Sequence, residues 1–450
     1  MQYKVKAEIT VFLSLLFGIM SALIITVIES AGEQATRIEL ERIMQTAIHS
    51  CFSEYNQELL NKYDIFAIDC SYRKDKGSVE NINNHIRGYA ERNINNKELR
   101  SGSDFLTIVI KETGLKKYEL LSDDNGSPLK NQINEYMRGG GNLSGKSTLL
   151  RCKNLMTSRD DGGFMDRFAE CLGQSGGVEN NPAEKIYEIA ASSNLLLYIV
   201  NEGYDYKSVP GDRPSARPLN SGTYIRNRQS DEEEDYLLNA YINEKFSDIL
   251  CDSDYGVMVG EKEYIISGKS REKACIEECA EWILNQRKKK NIASMMSNED
   301  VLIKTEELAY ELCSECEGDP YYVRMSLIYA WAYVESLAEL NHICSRGGSL
   351  DLSSGVLKPV VPLYDLINFE YYFGKCPDSG MDYSTILIGM LMNTDTNVKL
   401  KRCMDIMEIN MIKNGHKGFR IDGCVTAFAA EMITDSKYGH GLSIEREFGY

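Results

Sequence analysis

Basic residues, prolines and histidines are the scarce components of this sequence, and each shortage removes a class of answer. Lys and Arg number 50 against 67 Asp and Glu, a formal charge of -17. A chain with that field repels phosphate backbones, which excludes nucleic-acid binding through a general basic surface and leaves room only for a local patch. Nine prolines among 450 residues, with 43% hydrophobic and 26% charged residues, exclude a collagen-like or wholly disordered chain. The five histidines (His49, His85, His342, His416, His440) are isolated, with none paired at metal-ligand spacing. Thirteen cysteines is an odd count, and a chain of this length needs no disulfide staples, so some thiols are expected free. Cys313 and Cys316 have the two-residue gap of a zinc knuckle but lack the other two soft ligands. Cys275 and Cys279 fall one turn apart as small apolar fillers on a helix expected over residues 271–288. No metal and no cofactor are expected.

What is present in quantity is one uncharged run. Residues 9–28, ITVFLSLLFGIMSALIITVI, contain no charge across twenty positions, about the 30 Å that a helix needs to cross a bilayer. The expectation is a single membrane span with a short tail (1–28). A cleaved secretory signal is the competitor, but its apolar region is shorter and a cut at Ala31 would place Glu29 in the recognition triplet. Lys4 and Lys6 weigh against Arg37 and Arg42 beyond the span, a small bias toward a cytoplasmic N-terminus and a large domain outside the cell. Ile38, Met44, Ile48, Phe52, Tyr55 and Leu59 keep an apolar face at helical spacing, so the span is expected to continue as a stalk helix over 29–62, with Gly32 its weak point.

The expected fold class is α+β. Beyond the stalk, an α/β region is expected over 63–207: a strand at 63–68, a helix at 79–96, strands at 105–111 and 117–121, and a turn at Asp124, Asn125 and Gly126. Pro128 then opens a helix running to Met137. Residues 138–181 are rich in Gly, Ser, Asp and Asn and read as a long loop, followed by a helix at 182–193 and a strand at 195–200. Three prolines and the acid run Asp231 to Asp235 mark 208–235 as a linker, the acids being expected as a solvated cap on a helix over 236–250. The remainder, 236–450, reads as mostly helical after a strand at 263–266. Leu327, Trp331, Val334 and Ala338 form an apolar stripe, with Glu335 and Glu339 expected as a polar edge beside it. Paired carboxylates can perform acid–base work, but no histidine or second acid motif accompanies these two. Met390, Met392, Met404 and Met407 are expected as core fillers.

One stretch matches a chemical motif. Gly140-Gly-Asn-Leu-Ser-Gly145-Lys146-Ser147 has the spelling of a phosphate-cradling P-loop, with Lys146 placed for terminal phosphates and Ser147 for magnesium. That mechanism needs a buried strand entering the loop, whereas Asn131 to Arg138 is polar and helical in pattern. The expected metal-binding acid is also replaced, since the apolar run to Val200 is followed by Asn201. A second Gly268-Lys269-Ser270 lacks the leading glycine, having Glu263 in its place.

Several blocks, in order, carry a resemblance. Ile9-Thr-Val-Phe-Leu-Ser-Leu15, Ile28-Glu-Ser-Ala31, Glu54-Tyr-Asn-Gln-Glu-Leu-Leu60 and Tyr63-Asp-Ile-Phe66 open it. Gln132-Ile-Asn-Glu-Tyr-Met137, Glu263-Tyr-Ile-Ile-Ser-Gly-Lys269, Ala330-Trp-Ala-Tyr-Val-Glu-Ser336 and Phe419-Arg-Ile-Asp422 continue it. Together they resemble an uncharacterised family of single-pass membrane proteins in Gram-positive anaerobes, associated with Tad (tight adherence) pilus loci. The resemblance implies a non-enzymatic, pseudopilin-like accessory protein whose N-terminal helix meets other pilus subunits, and it carries no catalytic residues. The family pattern resembles Gly-Ser-Ile-Thr-Val-Phe at its start, whereas Ala7 and Glu8 precede Ile9 here, which puts cutting by a prepilin peptidase in question. The rival functions are a membrane-bound nucleotide-binding protein using Gly140 to Ser147 and an extracellular binding or sensing module unrelated to pili.

Overall fold

The computed structural model describes residues 2–74, 77–95, 107–141, 146–192, 194–199, 205–224, 232–251, 256–314 and 318–450. The fold is α+β, and the chain divides into two compact units that interleave along the sequence. One comprises Met1–Leu129, Leu219–Arg228 and Asn414–Tyr450; the other comprises Lys130–Pro218 and Gln229–Lys413.

The chain opens with α1 (Gln2–Phe52), one helix without a break at Gly32. It stops at Phe52, ten residues before the expected end of the stalk. Asn56 starts a separate helix, α2 (Gln57–Tyr63), by accepting the N–H groups of Glu58 and Leu59. The strand expected over 63–68 is only β1 (Ile68–Asp69), because Tyr63 still belongs to α2. Next come α3 (Val79–Asn95) and β2 (Val109–Leu120). β2 replaces the two strands expected here, since Gly114 stays in register opposite Glu431, while residues 105–106 lie outside the described ones. Asp124, Asn125 and Gly126, at φ of 46°, 56° and 89°, make the expected turn at the start of α4 (Asp123–Gly139).

The expected loop over 138–181 contains α5 (Lys146–Leu155) and α6 (Phe164–Gln174). Four-residue spacing buries Phe164 and Phe168 on one face of α6, and the Asp161 carboxylate accepts N–H groups from Gly163 and Met165. Gly- and Asp-rich flanks hide that short amphipathic pattern. Then follow α7 (Pro182–Ala191), capped by Asn181, and α8 (Leu196–Ile199) where a strand was expected. α9 (Glu232–Lys245) begins inside the acid run and ends five residues before Leu250.

The second expected strand in this half is also a helix, α10 (Glu261–Ser267), closed by Gly268 at φ 71°. Apolar runs as short as 195–200 and 263–266 carry too few periods to separate strand from helix. α11 (Glu272–Met296), α12 (Glu299–Cys313) and α13 (Pro320–Arg346) follow, then the two-residue pair β3 (Ser349–Leu350) and β4 (Met381–Asp382). α14 (Tyr383–Leu391) and α15 (Thr396–Lys413) complete the helical unit. α13 is its axis: residues 326–344 are buried without interruption, and α6, α7, α8, α11 and α12 all pack on it. Met390, Met392, Met404 and Met407 are buried core residues, as expected.

The chain ends in a hairpin, β5 (Cys424–Ser436) and β6 (Gly439–Gly449), where mostly helical structure was expected. In the first unit β5 pairs antiparallel with β1, β2 and β6. Met44, Ile48 and Phe52 of α1, Ile86 of α3, and Phe428 and Met432 of β5 share the resulting core. Phe52 stacks on Phe428 with ring centroids 4.7 Å apart.

Candidate functional site

Two features offer function: the bare half of α1 in the first unit and a cavity beside α13 in the second. From residue 9 to residue 31 every side chain of α1 is exposed except half-buried Ser21, and Phe17 is 74% exposed. The helix is long and apolar enough to cross a membrane. From Gly32 the pattern changes. Gly32, Thr36, Leu40, Ile43, Ala47 and Cys51 are buried at three- and four-residue steps, the period of one helix face. A Cβ at position 32 would lie 2.5 Å from the Tyr438 ring, so the glycine permits close approach to the β5–β6 turn. The residue expected to be the weak point of the stalk is therefore where the helix meets its own domain. Met44, Ile48, Phe52 and Leu59 are buried within the unit, and Ile38 alone of the apolar stalk positions named above is fully exposed, at 69%.

The P-loop spelling is entered from α4, a helix, and left by α5, which Lys146 opens. Residues 142–145 lie outside the described ones, as does the side chain of Lys146. The second Gly-Lys-Ser is the end of α10, where Gly268 N–H donates to the Tyr264 carbonyl at 2.7 Å. Of the acid run, Asp231 lies outside the described residues, but Asp235 is no solvated cap. It accepts hydrogen bonds from Lys399 Nζ at 2.9 Å and Thr396 Oγ1 at 2.6 Å, and is the counter-ion of a lysine with no exposed surface. Cys275 and Cys279 are buried on α11, while Cys316 lies outside the described residues. Among the described residues no group of three or more His, Cys, Asp or Glu side chains could hold a metal ion.

The block from Glu263 to Lys269 turns out to begin in a buried charged knot. Lys262 Nζ donates to Asp248, Asn243 and Ser384 at 2.7–3.1 Å, and Glu261 accepts from Ser247 N–H and Asn410 Nδ2. Glu263 Oε1 accepts from the Tyr383 hydroxyl at 2.8 Å and from Ile249 N–H at 3.2 Å. Burial, with Asp248 nearby, pushes Glu263 up to about 8. These contacts tie α10 to its neighbours. Asp422, in the last block, does the same in the first unit by accepting Asn220 N–H at 3.0 Å.

Glu335 and Glu339 are not a polar edge. Both are buried on α13, with 0% and 6% exposure, and both line a cavity of about 390 Å³ together with Arg287. The stripe reading failed because α13 has protein on every side, which leaves it no solvent-facing edge. Arg287 of α11 reaches Glu339 through two N–H···O bonds of 2.8 Å, and Asn291 Nδ2 donates to the same carboxylate at 2.8 Å. The other Arg287 donors go to the Asp351 and Ser354 carbonyls and to Asn291 Oδ1, fixing the segment that forms one wall. Glu335 Oε1 accepts Val361 N–H at 2.6 Å, while Oε2 has no partner. Burial outweighs the backbone donors at Glu335 and pushes its carboxyl up to about 8, so it carries a proton at neutral pH. Cys376, which also lines the cavity, is pushed up to about 12 by burial and is a thiol rather than a nucleophilic thiolate. The signal in the sequence was the i, i+4 acid pair itself; its burial was not legible without the helices around it.

No solved structure and no curated protein matches this chain. Residues 173–436, which include the cavity and most of the helical unit, match a family model, and the chain belongs to that family of unknown function (DUF5702).

Proposed function

We propose that this protein is a non-enzymatic, single-pass anchor whose N-terminus is cytoplasmic and whose two folded units lie outside the cell, serving in assembly or tethering of a Tad-like pilus. One observation carries the reading: α1 passes unbroken from an uncharged, exposed segment at 9–28 into a face packed on its own sheet from Gly32 to Phe52. A helix of that form transmits position and force rigidly from a bilayer to a folded unit, the shape of a pilin's N-terminal helix. It also moves the partner surface. Met44, Ile48 and Phe52 are occupied by the protein's own core, so other pilus subunits meet residues 9–31 and the exposed side carrying Ile38. The cavity groups support a structural role, since Glu339 is locked by Arg287 and Asn291, and Cys376 is held as a thiol.

Two measurements test the reading. Protease added to intact protoplasts is expected to remove both folded units, and complete protection would refute the orientation. A cysteine crosslinking scan along α1 in cells, in a background with the native cysteines controlled, is expected to give adducts with pilus components at positions 12–31 and 38. No adducts are expected at 44, 48 or 52. Adducts confined to the buried positions, or none anywhere with function intact, would overturn it.

A further inference from the structure

We propose that the turn between β5 and β6 rests in the lipid headgroup layer beside α1, so that the first unit meets the membrane at two places instead of one. The inference rests on the reading of residues 9–28 as the membrane span.

Contacts along α1 give the direction. In the turn, Tyr438 packs on Gly32, where an added Cβ would lie 2.5 Å from its ring. Further along β6, Arg446 Nη2 meets a Glu41 carboxylate oxygen at 3.1 Å, the Phe448 ring is centred 4.8 Å from that of His49, and the Tyr450 hydroxyl donates to the Phe52 carbonyl. β6 therefore runs beside α1 in the same direction, and the turn is the end nearest the uncharged segment.

Helix rise then sets the depth. α1 is unbroken from Ile28, the last residue of the uncharged run, to Gly32, so the Tyr438 contact lies about 6 Å beyond the hydrocarbon. The headgroup layer of one leaflet is about 5–8 Å thick. The run is bounded by Glu8 and Glu29 and matches the hydrocarbon thickness of about 30 Å, which leaves it little room to slide. A helix tilt of about 20° moves a group lying against the helix by only a few Å.

The residues at that end suit the layer. Lys437 is exposed, His440 keeps 86% of its side chain exposed, and Tyr438 is half-buried against α1. Val109, opposite Asp435 at the start of β2, is 52% exposed. An aromatic ring, an aliphatic side chain and nitrogen donors that reach phosphate oxygens are the groups that settle at a membrane–water boundary. Charge does not select the lipid. Among the described residues near this end, the exposed acids Glu29 and Glu33, with Asp435, offset Lys111 and Lys437. Placement by α1 rather than electrostatic recruitment brings the turn to the surface, so zwitterionic lipid suffices. A single helix can rotate about its axis in a bilayer, and a second contact beside it holds the first unit in one orientation.

The test labels the unaltered full chain in phosphatidylcholine nanodiscs with two photoactivatable lipids, one carrying a diazirine in the headgroup and one at the end of an acyl chain, and maps the adducts by tandem mass spectrometry. The acyl probe is expected on residues 9–28. The headgroup probe is expected on 29–33 and on 437–441, with at least about fivefold more label per residue in that turn than at 445–449, where Arg446 meets α1 about 20 Å beyond the hydrocarbon. Acyl labelling of 9–28 and headgroup labelling of 29–33 with an unlabelled turn overturns the proposal alone and leaves the span standing. No label on 9–33 from either probe overturns both. A turn labelled in phosphatidylglycerol nanodiscs but not in phosphatidylcholine overturns placement by the helix as the cause.

Discussion

Residues 9–28 of α1 and residues 326–344 of α13 are both helical stretches rich in apolar side chains, yet one stands bare and the other is enclosed on every side. Their polar residues show why. In the first, Ser14 and Thr26 turn their hydroxyls back to the carbonyls of Val11 and Ala22, at 2.8 and 2.9 Å, so they ask nothing of the surroundings. In the second, Glu335, Glu339, Asn341 and His342 each reach another segment: Val361 N–H, Arg287, the Tyr198 carbonyl and Asp378 respectively. A bilayer interior offers no partners, so a spanning helix must satisfy its polar groups internally; a protein core can supply them from elsewhere, so a core helix can carry charge. Mean hydropathy already separates the two, since among the described helices the apolar stretch of α1 is the one that reaches the membrane-spanning range, and the carboxylates of α13 are part of what keeps it below that range.

The largest effect expected from breaking this contrast is in the bare helix. Leu16→Asp combined with Ile19→Asp puts two acids where nothing can pair with them, at about 2.5–3.5 kcal/mol each near the helix centre. The chain should then leave the membrane fraction on carbonate extraction, and retention in the pellet would show that 9–28 is not the span. In the enclosed helix, Glu339→Ala strands the Arg287 guanidinium and should cost about 3–5 kcal/mol, read as a fall in the urea midpoint of the helical unit. A loss near zero would mean that the pair does not hold the wall segment.

A pH series sharpens the comparison further, because the described part of 9–28 contains no titratable side chain whereas the helical unit buries three raised carboxyls among its described residues, Glu263, Glu335 and Asp405. Glu263 and Glu335 move from an ordinary 4.5 to about 8 on folding, so between those values the folded state keeps protons that the unfolded state has lost. Their contribution to stability is full below pH 4.5 and is lost as pH rises toward 8, on the order of 5 kcal/mol for each carboxyl. The thermal midpoint should therefore fall from pH 5 to pH 8.5, with Glu263→Gln and Glu335→Gln together flattening the slope; an unchanged slope would refute the assignment. The smallest effect concerns the junction inside α1. Gly32→Val should cost about 1–3 kcal/mol in the first unit by driving a side chain into Tyr438, with membrane retention unaltered. Wild-type stability in that variant would mean that the packed half begins further along.

Much of the fold was legible where the cause is local. The helix at 79–95, the turn at Asp124 to Gly126 and the Asn181-capped, Pro182-led helix follow from caps, left-handed backbone and side-chain period, all of which act within a few residues. The Gly268 cap shows the limit. It lay in plain view at the end of α10, but Tyr264-Ile-Ile266 before it reads equally as a strand, and only burial of the whole stretch from Glu261 to Ile266 chose the helix. The cavity was less legible still. Glu335 and Glu339 were visible as a pair, but Arg287 lies 52 residues from Glu339, and the Val361 N–H comes from a segment beyond the end of α13.

The sequence by itself determined the uncharged length of residues 9–28, the α+β class and the acidic surface, because hydropathy, capping and charge are properties of short segments and sums. Tertiary structure alone decided that α1 turns one face inward from Gly32, that β5 at the chain's end pairs with β1 and β2 near its start, and that two glutamates of α13 face a cavity instead of water. Each of those outcomes depends on which distant segment supplies the missing surface, hydrogen bond or counter-charge, and no local pattern in the chain encodes the identity of that segment.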